Sequence, residues 1–272
     1  MSPDHRRFVL CAGLTVAVAA GWLSAVAALA RTGVAFELLL LALPLVAWLG
    51  GGLRFADRRL HALVLIQTGF LLACVAGELA LAHGTPAVHQ VARWGVLVYF
   101  VVQGVGFVAY QVKRRHPIGV LQTLLGTAML VGWWAGPGGL GALSPDGAYW
   151  ALGAEMPWQV QVTYIAWALN PLLVQSAELP RMGQALVQLA SIGVALASGA
   201  FLHVRILTAC HAMTVDLMFG YGRRASDGAV ARALTLPPPW RAFVEGPLAT
   251  WLPRLTLATL AAMAGQVLLF GF

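Results

Sequence analysis

Two acidic residues and two histidines lie within or beside long apolar stretches of this chain, where ionisable groups are rare. Glu37 comes just after the start of one stretch, and Glu78 lies inside the next, five residues before His83. His203 lies in a later stretch. An ionisable side chain in a membrane is costly and normally faces the protein interior, so all four are candidates for proton or ligand handling. Glu78 is the strongest candidate, with His203 as its expected partner, whereas an interfacial position would also explain Glu37.

A second set of candidates forms a row of polar residues in the stretch QVTYIAWALNPLLVQSAELP (161–180). Members of the row recur at spacings of three and four residues: Gln161, Tyr164, Ala168, Pro171, Gln175 and Glu178. An α-helix brings such residues to one face. A second stretch repeats the pattern with Tyr99 and Gln103. Because unpaired polar groups in lipid cost several kcal/mol, these stripes are predicted to face one another between helices.

The polar stripes support two interpretations. In the first they are structural, and Gln and Tyr side chains join helices through hydrogen bonds of about 0.6 kcal/mol each. In the second they line a polar interior that a solute or substrate enters. The stripes carry many amides and few charges. The second interpretation therefore favours an uncharged polar or amphiphilic ligand over an inorganic ion.

The composition indicates what must position these residues. Of 272 residues, 60% are hydrophobic and only 10% are charged, whereas about a quarter of a typical soluble domain is charged. Several apolar runs reach the roughly 20 residues that cross a hydrocarbon core of about 30 Å. Backbone groups in lipid must pair internally, which favours helices. The sequence predicts an all-α, polytopic integral membrane helix bundle that forms one transmembrane domain over residues 1–272.

We predict about eight transmembrane helices. Their ranges are 8–30, 34–53, 60–82, 94–112, 117–135, 159–177, 183–204 and 249–271. Basic residues cluster before the first span and after the second and fourth. The positive-inside rule then places the N-terminus in the cytoplasm. The expected location is a bacterial-type inner (cell) membrane. The same anchoring explains the net charge of +7, and we expect no nucleic-acid partner.

Two connecting segments stand out by composition. Residues 136–158 are rich in Gly and Trp and are predicted to form a non-cytoplasmic loop that acts as a lid or a docking surface. Residues 205–248 are basic and are predicted to be extramembrane or interfacial. Strict alternation of the spans places this second segment outside, whereas its Arg residues favour the inside. The sequence does not decide on which side of the membrane residues 205–248 lie.

The histidines raise the question of a metal cofactor. A membrane b-type haem needs two histidines at equal depth on facing helices, and His83 with His203 is the pair that fits this condition. The three cysteines are far apart, and the chain has no CxxC, HExxH, P-loop or GxSxG motif. We therefore expect no cofactor, with haem or copper as the alternative. The expected partners are the lipid bilayer, a small ligand and other membrane subunits.

Three functions are compatible with these features. The sequence favours transport or binding of a small polar or amphiphilic molecule in a polar helix-bundle interior. The first alternative is an intramembrane enzyme that acts on a lipid-phase substrate, with Glu78 and His83 as acid and base. The second is an anchoring or assembly subunit of a membrane redox complex with His-ligated haem or copper. The residues alone do not decide whether the protein is an enzyme.

Overall fold

The computed structural model describes residues 3–49, 58–135, 141–143, 149–153, 156–170, 182–219 and 237–271. Within these ranges the chain forms nine helices and one short antiparallel hairpin. The predicted all-α class is therefore confirmed. The predicted site residues Gln175 and Glu178 lie outside the described residues.

The helices follow one another through short connections over most of the chain. Their bounds are α1 Pro3–Ala30, α2 Val34–Leu49, α3 Arg58–Ala82, α4 Pro86–Lys113, α5 Pro117–Ala135, α6 Trp158–Leu169, α7 Met182–Leu196 and α8 Phe201–Phe219. The hairpin strands between α5 and α6 are β1 Ala142–Leu143 and β2 Tyr149–Trp150. The last helix, α9, comprises Pro238–Phe243, a π-helical turn at Val244–Leu248, and Ala249–Phe270.

Prolines and glycines explain several of the helix boundaries. Pro86, Pro117 and Pro238 are each the first residue of a helix, where the missing N–H costs nothing and the fixed φ suits the first turn. Gly33 and Gly84 have φ of +129° and +64°, in a region of backbone conformation that other residues rarely adopt. They lie at the tight reversals between α1 and α2 and between α3 and α4.

The helices indicate a multi-pass protein embedded in a membrane. Four helical segments of the described part are long and apolar enough to cross one: Pro3–Ala30, Pro86–Lys113, Pro117–Trp134 and Pro238–Phe270. Four more apolar helices are shorter: Val34–Leu43, Thr68–Ala82, Ala185–Leu196 and Phe201–Val215. The predicted number of about eight spans thus matches the structure only in part. Large apolar side chains such as Leu10, Val91 and Leu268 are exposed, as lipid contact requires.

Helix α8 lies at the centre of the bundle. It contacts α1, α2, α3 and α7, and every residue from 201 to 208 is buried. Burial on every face is expected of a helix in such a position. The largest buried cluster joins α8 to Phe70 of α3, Trp133 of α5 and Trp150 of the hairpin. The candidate site residues are therefore arranged around α8.

The predicted span 183–204 is wrong as a single helix, because the chain turns at residues 197–200. Gly199 has φ of +74°, and the Ser198 hydroxyl donates to the carbonyl of Ala195 at 2.7 Å. The Ser198 oxygen also accepts the backbone N–H of Ala200. Gly in the left-handed region is a common helix stop, but a hydropathy window does not detect it. Helix α8 then runs on into the predicted basic segment 205–248, whose beginning is buried protein.

The described part of the predicted loop 136–158 packs into the bundle. Tyr149, Trp150, Ala151 and Leu152 are all buried, and the indole N–H of Trp134 donates to the carbonyl of Leu152 at 3.1 Å. The segment therefore closes one end of the helix bundle with side chains that reach inward. Its side of the membrane stays a prediction.

Candidate functional site

Two carboxyl groups lie near each other where α2 packs against α3. Glu37 on α2 is 2% exposed, and its Oε2 has no hydrogen-bond partner among the described residues. Glu78 on α3 is near enough to repel Glu37 electrostatically. It is only partly buried. The sequence ranked these residues in the opposite order, since it favoured Glu78 and allowed Glu37 an interfacial position.

Glu78 has a structural partner at the start of α2. Its side chain accepts a hydrogen bond from the backbone of Val34, which is the first residue of that helix. The first N–H groups of a helix lack partners within it, and the helix dipole favours an acid there. Glu78 thus caps α2 from the neighbouring helix. The expected partner His203 is not among its described contacts.

The phenol of Tyr149 reaches from β2 to α3, where it lies beside Gly77. Tyr149 is buried, and its hydroxyl has no partner among the described residues. Burial raises the pKa of the phenol, the nearby Cys74 and Glu37 raise it further, and Arg93 opposes them. Together, Glu37, Glu78 and Tyr149 are called the carboxylate cluster below. The sequence did not identify Tyr149, because its position depends on how the hairpin folds inward.

Two glycines make room for this phenol. A Cβ atom placed on Gly77 of α3 would lie 2.7 Å from Cζ of Tyr149, and nearer still to its hydroxyl oxygen. A Cβ on Gly141 would lie 2.8 Å from that oxygen. Gly141 also has φ of +70°, so two separate properties require glycine there. The close approach of hairpin and α3 depends on both positions.

Basic side chains surround the hairpin. His89 of α4 lies with Nε2 3.2 Å from the carbonyl oxygen of Gly141, and its ring meets that of Tyr149 edge-on at 6.0 Å. Arg93, one turn later on α4, has a buried Nε without a partner among the described residues. The guanidinium of Arg31 lies 5.4 Å from the ring centre of Trp150. The carboxylate cluster therefore lies beside cationic and aromatic groups.

The two candidate histidines lie in different environments. His203 is buried, and its Nδ1 accepts the backbone N–H of Ala151 at 3.1 Å, so a neutral ring carries its proton on Nε2. His83 is exposed, and its Nδ1 lies 2.8 Å from the carbonyl oxygen of Leu79 on its own helix. The described contacts do not bring the two rings together. No group of three or more potential metal ligands occurs in the described part, and the expectation of no cofactor stays a prediction.

The polar stripes are only partly turned toward the core. Tyr99 is buried and its hydroxyl lies 3.8 Å from Sγ of Cys210. Tyr164 is buried against Phe201, with ring centres 5.6 Å apart. Gln103 is half-buried. Gln161 is half-buried too, and its amide donates to the carbonyl of Met156 at 2.7 Å, so it bonds within its own chain segment.

A second polar group, called the arginine cluster here, joins α6, α7 and α8. Arg205 of α8 is 5% exposed and donates from a terminal nitrogen to the hydroxyl of Ser191 at 2.9 Å. Ser191 and Thr208 share a hydrogen bond of 2.6 Å, and Tyr164 also hydrogen-bonds Arg205. Gln188 is buried on α7. The sequence assigned Arg205 to a segment predicted to be extramembrane or interfacial, although its neighbours Val204 and Ile206 are apolar.

A third polar group holds α5, α6 and α9 together. The amide nitrogen of Gln122 donates to the carbonyl of Pro253 at 2.7 Å and to the hydroxyl of Thr256. Its amide oxygen accepts from Asn170 at 2.6 Å. All four residues are buried. Because the Gln122 amide uses both its oxygen and its nitrogen, this group fits the structural interpretation of the stripes.

Comparison of the chain with family models, curated proteins and solved structures finds no match.

Proposed function

We propose that this protein transports or binds a small polar or amphiphilic molecule in a bacterial-type inner membrane, and that Glu37 exchanges a proton in the process. The observation that supports this proposal is the buried Glu37 carboxyl group, with one oxygen that has no partner among the described residues. Structural polar groups in this bundle look different. Gln122 bonds through both ends of its amide.

The physical reason is the cost of a buried charge. An ionised carboxylate taken out of water without a partner costs several kcal/mol. The charge of Glu37 is therefore tied to whether water, a cation or a ligand reaches it. Glu78 lies close enough to repel it, which adds to the cost of a second charge. A site of this kind links proton exchange to opening of the bundle, and intramembrane acids commonly serve that purpose in transporters.

The orientation follows from the basic residues. We place the N-terminus, with Arg6 and Arg7, in the cytoplasm. The reversals between α1 and α2, between α3 and α4, and the hairpin then lie on the outer side. The carboxylate cluster would exchange protons with that side.

The ligand part of the proposal is tested by extracting purified protein with organic solvent and identifying the released molecules by mass spectrometry. We expect one compound to copurify with the wild type and its recovered amount to fall at least about tenfold in Glu37→Gln, a typical size for coupling between proton exchange and ligand binding. The matched control is Glu245→Gln, since Glu245 is an exposed acid paired with Arg241. Equal recovery from all three proteins, or no compound at all, would refute ligand binding that depends on Glu37.

The proton part is tested in liposomes that enclose a pH-sensitive dye. After the outside is acidified, wild-type protein and Glu245→Gln should admit protons faster than protein-free liposomes, and Glu37→Gln should not. Wild-type flux equal to that of empty liposomes would contradict proton exchange through Glu37.

The described contacts lend less support to the two alternatives. An acid–base pair of Glu78 and His83 would need both side chains to converge. Instead Glu78 hydrogen-bonds the start of α2 and His83 its own helix. A haem between His83 and His203 would require the exposed ring of the first to reach the buried ring of the second. A Soret band in the purified protein would favour this redox alternative over transport.

A further inference from the structure

We propose that the arginine cluster binds the anionic head of the transported molecule, a carboxylate or phosphate group on an apolar chain. The inference rests on the proposed function and extends it, since the sequence favoured an uncharged ligand. It names a second site, on the far side of α8 from the face that carries His203 and Cys210. Three residues of this site, Arg205, Ser191 and Gln188, carry the inference.

The first step is the charge of Arg205. Its guanidinium is buried, and the partners given by its hydrogen bonds, Ser191 and Tyr164, are neutral. No ion pair joins it to a carboxylate within the described ranges, where Arg241 and Glu245 form a pair on the surface. Arginine does not give up its proton in proteins. The cluster therefore holds a positive charge away from water, which costs several kcal/mol until an anion compensates it.

The second step is a surplus of hydrogen-bond donors. Nε of Arg205 and the amide nitrogen of Gln188 are buried and have no partner among the described residues. Gln188 lies three residues before Ser191, on the same face of α7. The two unused donors and the positive charge would suit an anionic group with several acceptor oxygens. The planar guanidinium pairs well with carboxylate and phosphate groups for this reason.

The third step concerns the rest of the ligand. Arg205 lies in a continuous run of buried residues on α8, which includes Leu202, Val204 and Ile206. Phe201 packs against Tyr164 of the cluster. A fully hydrated anion would lose its water in these surroundings without any apolar contact in return. An amphiphile gains burial of its chain in addition to the ion pair.

The experiment measures binding of three ten-carbon probes to purified protein in a non-ionic detergent. The probes are decanoate, decyl phosphate and decanol, with inorganic phosphate as a fourth ligand. Binding is followed by isothermal calorimetry and by the shift in thermal unfolding. We expect decanoate, decyl phosphate or both to bind saturably and to stabilise the wild type, and decanol and inorganic phosphate to do neither. Whichever of the two anions binds identifies the head group.

The variants assign that binding to the cluster. Arg205→Gln should weaken binding of the anionic probe at least about tenfold, the value of a lost charge-assisted bond. Arg205→Lys keeps the charge without the planar guanidinium, and its affinity for the anionic probe should lie between those of the wild type and Arg205→Gln. Gln188→Met removes one unused donor and should weaken binding more modestly. The control is Arg254→Gln, an exposed arginine of α9, which should bind as the wild type does.

Several results would overturn the inference: equal binding of decanol, binding of inorganic phosphate alone, or full affinity in Arg205→Gln. If Arg205→Gln does not fold, full affinity in both Arg205→Lys and Gln188→Met has the same meaning. These measurements need no membrane and no proton flux. Ligand recovery that is the same in the wild type and in Glu37→Gln, together with probe binding that depends on Arg205, would refute the proposed function alone. The reverse result would refute the inference alone.

Discussion

Gly77→Ala is the change that tests most directly how the hairpin is seated on the bundle. The added Cβ would overlap the Tyr149 hydroxyl and would lie 2.7 Å from Cζ and 3.0 Å from Cε1. A terminal atom often moves aside, but this phenol is confined. Its oxygen lies so close to Gly141 that a Cβ there would be 2.8 Å away, and its ring meets His89. The overlap must therefore be relieved by moving the hairpin.

Overpacking of this kind typically costs about 1–3 kcal/mol. The same substitution gains up to about 1 kcal/mol in a helix, because alanine is the better helix former. The matched control is Gly69→Ala on the same helix, where nothing lies within 4 Å of the new Cβ. The propensity gain cancels between the two variants. Gly77→Ala should thus be less stable than Gly69→Ala by about 1–3 kcal/mol.

Thermal unfolding in detergent measures this difference. At roughly 2–4 °C per kcal/mol for a chain of this size, the two variants should be separated by roughly 2–12 °C. Adding Tyr149→Phe removes the nearest atom and should recover part of the loss in Gly77→Ala, while leaving Gly69→Ala unchanged. Equal melting temperatures for the two alanine variants, or no recovery in the double variant, would refute the proposed seating of the hairpin.

Three further predictions concern single hydrogen bonds. Asn170→Leu leaves the oxygen of Gln122 buried and unpaired, and chemical or thermal unfolding should show a loss of about 1–3 kcal/mol; an unchanged protein would show that this bond contributes nothing. Burial lowers the pKa of His116, whose Nδ1 accepts the N–H of Gly119 at 3.0 Å. The unfolded state therefore binds the proton more readily, and the free energy of unfolding should fall as the pH drops below the ordinary histidine pKa of about 6.5. This pH dependence should be absent in His116→Gln. Glu78→Gln should unfold like the wild type because its amide oxygen still accepts a bond, whereas Glu78→Leu should lose about 0.5–2 kcal/mol; equal stability of both variants would argue against the cap.

The sequence predicts those features of the fold that depend on composition and local spacing. The apolar runs and the need to pair backbone groups in lipid predict the helical class. The spacing of polar residues correctly places Tyr99 and Tyr164 in the core. Helix starts at Pro86 and Pro117 follow from the chemistry of proline. Each of these features is encoded within a few turns of helix.

The features that the sequence does not predict depend on distant parts of the chain. Glu37 is buried and Glu78 only partly so, a difference that depends on which distant parts of the chain pack against each residue and that nothing near residue 37 encodes. Arg205 was assigned to a basic segment because hydropathy averages over a window and ignores which helix lies opposite. The turn at residues 197–200 consists of Ala, Ser and Gly, which are also common inside membrane helices.

The turn at residues 197–200 reverses the direction of the chain between α7 and α8. Because α7 and α8 form a helical hairpin, the chain at Phe219 returns to the side from which it entered at Met182. The bond between Ala151 and His203 places the tip of this hairpin at the same end as the β-hairpin. A membrane crossing by each of the nine described helices would place Arg241, at the start of α9, on the same side as Arg6, so that regular alternation and the positive-inside rule would agree on the basic segment.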